Sequence, residues 1–200
     1  MYKRQVLECQ GLLDVSNVIE SPPKRVEKED GEIIHGKTSA RYNHPAFKEL
    51  HYDCKNKLEY LLQEKLYPTY YFDRFYFNGS KMDKHVDRAS CEISVSVNIS
   101  SNLDYDWGLW FELEDSIEIT TSPGDAVIYR GIEVPHWREK MVGKRDSYFH
   151  QLFLHYVRAD GHYLEYELEI YKLKNIQHRC PTAEDAKAEI QERLIEEHDL

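Results

Sequence analysis

The run Ser90-Cys91-Glu92-Ile93-Ser94-Val95-Ser96-Val97-Asn98-Ile99-Ser100 decides the fold. Ile93, Val95, Val97 and Ile99 alternate with Glu92, Ser94, Ser96 and Asn98. A period of two puts the apolar set on one face of an extended strand and the polar set on the other. A sheet strand with one buried face is expected, with Asn98 on the face turned to solvent.

Working outward, Thr69 to Phe77 is aromatic and strand-like, and Trp107–Leu113, Ile117–Thr121 and Ala126–Tyr129 read as short strands. Residues 147–157 make a longer strand, and 163–171 alternate again with Leu164, Tyr166, Leu168 and Ile170 on one side. Pro123-Gly124 and Gly131, Gly143 and Gly161 punctuate them. A short strand is also expected at 2–8. Helical spacing appears at 45–66, with Phe47, Leu50, Cys54, Leu58 and Leu61 in a stripe and Pro45 in the first turn. A second helix is expected at 182–197, capped by Thr182. Many short strands at turn-sized spacing imply a mainly β fold, a sandwich or jelly roll, with flanking helices. Two hundred residues fit a single domain whose β core covers about 69–171.

The formal charge of −10 argues against a general nucleic-acid or anionic-membrane binder, which needs basic surface to displace counterions. No stretch approaches the roughly 20 apolar residues of a membrane span, and the first residues lead into no signal-like apolar run. Cys9, Cys54, Cys91 and Cys180 include no Cys-x-x-Cys pair, so a thiolate zinc site is not expected. A reduced, cytoplasmic protein with free thiols follows. An interface between two copies through Ile190 and Leu194 stays open.

His-x-Asp occurs twice, at His51-Tyr52-Asp53 and His85-Val86-Asp87. Residues two apart on a helix do not face each other, and His51 lies in the expected helix. Residues two apart on extended chain point the same way, so His85 and Asp87 can chelate. His51-Tyr52-Asp53 then reads as surface decoration. A third ligand from a distant strand is available at His136, after the Pro123-Gly124-Asp125 turn and the 126–129 strand. Two imidazoles and one carboxylate on one face of an octahedron leave open positions, the set suited to Fe(II) oxygenases.

From about Tyr70 to Gly161, roughly half the chain, the sequence resembles the 2-oxoglutarate/Fe(II)-dependent dioxygenases, nearest to the prolyl-hydroxylase-like branch. The resemblance rests on His85, Asp87, His136 and then Arg145, in the family's order, and on the Pro-Gly-Asp turn. It implies a double-stranded β-helix, or jelly-roll, core. It also implies Fe(II) on His85, Asp87 and His136, with 2-oxoglutarate as cosubstrate and O2 as oxidant. Arg145-Asp146-Ser147 resembles the family's Arg-x-Ser, in which the guanidinium grips the far carboxylate of 2-oxoglutarate and the hydroxyl adds a donor. If the strand begins only at Ser147, the anchor comes from elsewhere, with Arg74 and Tyr76 as candidates. The activity implied is hydroxylation of a C–H bond in a peptide, amino acid or other small molecule, with release of succinate and CO2. The loop at 21–44 and the Tyr70–Phe77 stretch are expected to wall the substrate, and Arg88 to stand at the pocket mouth. Trp137 and Arg138 are expected to pack at the rim. Two rival readings remain: a cupin-like metalloprotein without 2-oxoglutarate chemistry, for which His-x-His is the commoner motif, and a non-catalytic binding module on the same barrel.

Overall fold

A computed structural model describes residues 5–18, 21–23 and 33–164. The strands expected at 163–171, the helix at 182–197, its apolar stripe and Cys180 lie outside the described residues or at their edge. Within them the chain forms β1 (Val6–Cys9), β2 (Ile34–His35), β3 (Thr38–Tyr42), α1 (Lys48–Leu62), β4 (Leu66–Phe77), β5 (Lys81–His85), β6 (Ile93–Ser101), β7 (Leu109–Glu112), β8 (Ser116–Ile119), β9 (Ala126–Tyr129), β10 (His136–Arg138) and β11 (Tyr148–Arg158). One sheet runs β1-β9-β6-β11-β4-β3 and the other β2-β5-β10-β7-β8, with every pair antiparallel. Two facing antiparallel sheets make the jelly-roll core that the strand spacing implied.

The alternation of β6 has the expected register, but both faces are buried. Ile93, Val95, Val97 and Ile99 pack outward from the barrel, against Phe47, Cys54 and Leu58 at the start of and along α1. Ser94, Ser96 and Asn98 point between the sheets, so Asn98 is buried and donates to the Thr121 carbonyl instead of meeting water. Tyr76, Met82, Leu109, Phe111, Tyr129, Phe149 and Phe153 fill the rest of that space.

The helix ends at Leu62, earlier than its periodicity suggested, because Gln63 turns left-handed with φ 55°. Leu66 belongs to β4 instead, and Leu61 is exposed. His51 is not surface decoration. It is buried under β11, against Tyr71 and Tyr156, while Asp53 is exposed. At the Pro123-Gly124-Asp125 turn, Gly124 has φ +89° and a Cβ there would lie 2.8 Å from the Leu13 carbonyl oxygen. Only glycine fits that close approach. The turn returns the chain into β9 beside β6.

Cys9, Cys54 and Cys91 are free thiols. No helix among the described residues is long and apolar enough to cross a membrane.

Candidate metal centre

The sheet pairing brings the three expected ligands together. His85 closes β5, His136 opens β10, and the two residues are register partners. Asp87 follows β5 on an extended segment, and its amide donates 2.8 Å to the Gly131 carbonyl, which ties it to the approach to β10. The Asp87 Oδ1 lies 3.7 Å from His85 Nε2 and 3.6 Å from His136 Nε2. Those separations suit donors that share one ion at about 2 Å from each.

Hydrogen bonds outside the trio set the direction of each ligand. The Nδ1 of His85 lies 2.8 Å from the Asp83 carbonyl, and that of His136 3.0 Å from the Val134 carbonyl. A carbonyl only accepts, so both Nδ1 atoms carry the proton and both Nε2 lone pairs face Asp87. On the carboxylate, Oδ2 accepts from the Ser94 hydroxyl at 2.8 Å and leaves Oδ1 for the imidazoles.

The electrostatics agree with this arrangement. Burial would raise the Asp87 carboxyl, but the neighbouring His85, His136 and His155 and the hydrogen bond from the Ser94 hydroxyl hold it down to about 2. Burial pushes His136 below the usual imidazole range, the larger effect there, while Asp87 opposes it. For His85 the burial effect is outweighed by the Asp87 carboxylate and the Asp83 carbonyl, and its net shift is upward.

The trio opens onto a cavity of about 530 Å³, a volume in the range of small-molecule sites. Tyr70, Phe72, Arg74 and Tyr76, all on one face of β4, form one wall. Tyr42 stacks on Phe72 at 5.0 Å, and Phe72 on Phe153 at 4.6 Å. Ile33, Ile34 on β2 and Tyr42 on β3 also line the cavity, so the stretch expected as a loop at 21–44 carries two strands where it is described. Arg88 stands exposed at the mouth, its guanidinium 4.6 Å from the centre of the Tyr70 ring.

Two sequence-based expectations fail here. Arg145 sits on an exposed turn before β11 and does not line the cavity. Ser147 is buried, but its hydroxyl accepts from the Lys144 amide at 2.9 Å and closes that turn locally. The chain between Met141 and Ser147 runs without strand pairing, so β11 starts too late to carry Arg145 inward. Arg74 and Tyr76, the alternatives, do line the cavity. The second failure is Arg138, which is among the largest fully buried side chains instead of packing at the rim. Trp137, on the opposite face of β10, stacks outside on Trp110 at 5.8 Å.

His155 was not singled out as part of the site. Its Nδ1 lies 3.1 Å from the Ser94 hydroxyl, which spends its own proton on Asp87. The His155 Nδ1 therefore donates, and its Nε2 is left as a buried, unpartnered acceptor on a residue that lines the cavity. Asp87, Cys91 and His155 form a second possible donor set. Burial raises the Cys91 thiol to about 12, which keeps it protonated and a poor ligand at neutral pH.

Gly131 is the tightest point of the site. A Cβ there would meet the Asp87 carboxylate, the Cys91 carbonyl at 2.5 Å and the Ser94 hydroxyl at 2.6 Å. Gly131→Ala is expected to push Asp87 off Ser94 and weaken Mn(II) binding by roughly 10- to 100-fold, the cost of losing an outer hydrogen bond to a ligand. Calorimetric titration of the purified variant checks this.

No protein-family model matches the sequence, and no curated protein matches it. Solved structures do match the fold. A Burkholderia pseudomallei oxidoreductase of the 2OG-Fe(II) oxygenase family superposes with a TM-score of 0.60 at 9% identity, covering 78% of this chain and 87% of that one. A Pseudomonas putida prolyl-4-hydroxylase gives 0.53 at 12%, covering 76% and 92%. HygX from Streptomyces hygroscopicus, with nickel, 2-oxoglutarate and hygromycin B bound, gives 0.53 at 11%, covering 76% and 82%. The chain has the fold of the 2-oxoglutarate/Fe(II) oxygenases.

Proposed function

We propose that this protein is a 2-oxoglutarate-dependent Fe(II) oxygenase that hydroxylates a C–H bond of a peptide, an amino acid or another small molecule. One observation carries the reading. Two imidazoles, each with Nδ1 committed to a carbonyl, and one carboxylate converge at the mouth of a cavity on this fold. His85, Asp87 and His136 would hold the metal, and their chemistry fits Fe(II) with positions left open for a keto acid and O2. Iron bound there with 2-oxoglutarate would supply the oxidising power, with succinate and CO2 as the products of the cosubstrate.

The chain's own residues position and shield. Tyr42, Tyr70 and Phe72 offer a stacked aromatic wall against which a substrate can lie. Phe111 and Tyr129 pack edge to face at 5.1 Å behind His136 and keep water from the back of the ligand. Ser94 and His155 fix the Asp87 carboxylate. No side chain is required to take a proton from the substrate. A small-molecule or peptide substrate also fits the acidic charge better than a nucleic acid does.

The test is succinate formation from 2-oxoglutarate with Fe(II) and O2, using ascorbate as reductant and no other substrate. One oxygen atom enters succinate, and ascorbate reduces the other to water. Wild type is expected to form succinate slowly and His85→Ala to form none. Equal rates in the two would refute the proposal.

A further inference from the structure

We infer that the prime substrate is a small, flat organic acid, its carboxylate held by Arg88 at the cavity mouth and an N–H or O–H donor of its body held by His155 Nε2. The inference rests on the oxygenase reading above and names the substrate class for that site.

Arg88 is placed by its backbone and by one ring. The amide of Asp87 before it donates 2.8 Å to the Gly131 carbonyl, and its own carbonyl accepts from the Cys91 amide at 2.9 Å. Its guanidinium carbon lies 4.6 Å from the centre of the Tyr70 ring. Tyr70 is fixed in turn by its hydroxyl, 3.1 Å from the Cys91 sulfur. A guanidinium stacked on a ring still presents its N–H edge to a carboxylate. The side chain is exposed and lines the cavity, so it meets a ligand on the way in from solvent.

Charge decides the kind of ligand. Among the described residues that line the cavity, Arg74 and Arg88 are the cations and Asp87 is the carboxylate. Asp87 faces two imidazoles and would hold the metal, so a substrate ammonium would find no carboxylate to pair with. Fe(II) and the doubly charged cosubstrate would cancel, Asp87 offsets Arg74, and Arg88 leaves one positive charge for a monoanion. The net charge of −10 on the chain opposes this only weakly, because exposed charges are screened within about 8 Å at physiological salt.

His155 sets the second contact. Its Nδ1 is committed to Ser94 at 3.1 Å, and its Nε2 is buried without a partner. A buried acceptor lacking a donor is costly, and a donor on a bound ligand would satisfy it, since His155 lines the cavity. Tyr70 joins the two contacts, because its ring centre also lies 4.6 Å from that of His155. A ring nitrogen of His155 lies within 4.8 Å of the Asp87 carboxylate, so a donor held there sits beside the metal ligands. Between them the wall is flat. The Tyr70 and Phe72 rings are within 11° of parallel, and Tyr42 stacks on Phe72 at 26°. Such a surface suits a planar ring.

Three probes separate the two contacts by calorimetry, on Mn(II)-loaded protein with 2-oxoglutarate under nitrogen. Pyrrole-2-carboxylate has both the carboxylate and the ring N–H. Pyrrole-2-carboxamide lacks the charge, and furan-2-carboxylate lacks the N–H. Wild type is expected to bind pyrrole-2-carboxylate roughly tenfold tighter than the carboxamide and roughly fivefold tighter than the furan acid, the worth of a charge-assisted and a neutral hydrogen bond. Arg88→Met is expected to lose the first preference and keep the second, and Arg88→Lys to keep part of the first. His155→Asn, whose amide can still donate to Ser94, is expected to lose the second and keep the first. Either preference missing in wild type, or retained in full by the variant that should remove it, overturns the inference. So does a failure of pyrrole-2-carboxylate to bind wild type that binds 2-oxoglutarate, and the oxygenase reading then stands. If wild type does not bind 2-oxoglutarate, that reading falls and takes the inference with it.

Discussion

Asp87→Ala is expected to weaken Mn(II) or Fe(II) binding by more than about 100-fold, since losing only an outer hydrogen bond to a ligand already costs 10- to 100-fold. The carboxylate is the one anionic donor of the trio, and its Oδ1 is equidistant, within 0.1 Å, from the two imidazole Nε2 atoms at 3.7 and 3.6 Å. Without it, two neutral imidazoles remain, and the positive charge of the ion is unopposed in a half-buried site. Asp53→Ala is the matched control, because Asp53 belongs to the other His-x-Asp and is exposed on α1. Its metal affinity should equal that of wild type. Similar affinity in Asp87→Ala and wild type would remove His85, Asp87 and His136 as the metal centre.

A comparably large effect, on stability, is expected on the back of the same wall. Asp73 alternates with Phe72 and Arg74 along β4, and its side chain is fully buried on the face away from the cavity. It accepts from His150 Nε2 at 2.8 Å and from the Arg41 guanidinium at 2.5 Å, which links β4 to β11 on one side and β3 on the other. Removing one member of a buried charged network strands the others, at a cost of about 3–5 kcal/mol. Asp73→Ala should lose that much in urea unfolding, and a loss under about 1 kcal/mol would show that the network is dispensable. Burial opposes ionisation of Asp73, but the hydrogen bonds from His150 and Arg41 prevail and lower its carboxyl. A lowered folded-state value contributes stability that is present above the ordinary carboxylate range and lost as pH falls through the folded value. Wild type should therefore lose stability in acid more steeply than Asp73→Ala.

Local pattern carried most of this fold. The alternation at 93–99 and the helical stripe at 47–58 report which residues share a face, and each face found a buried partner. What lies across the barrel was harder to read. Ser94, Ser96 and Asn98 look like a wet face, because a polar residue on a strand is equally polar whether it meets water or a lined cavity. The strand Lys81–His85 escaped notice since Lys81, Asp83 and Lys84 give it no apolar alternation. It is nevertheless the element that delivers His85. Spacing was enough to bring His85 and Asp87 to one side: on extended chain, two residues apart means one direction. The anchor shows where spacing fails. Arg145 stands at a plausible distance from His136, but whether that stretch is strand or turn depends on where pairing with β4 and β6 begins, and it begins at Tyr148 or just after. Arg138 had a signal that was available: on a strand opened by an inward His136, the residue two further on must also point inward.

The most direct measurement is the visible absorption of Fe(II)-loaded protein titrated with 2-oxoglutarate under nitrogen, with His85→Ala beside it. A weak charge-transfer band that rises to saturation in wild type and is missing in His85→Ala is the predicted result. An absence of any band in folded, iron-loaded wild type would contradict it and leave a metal-binding jelly roll without 2-oxoglutarate chemistry.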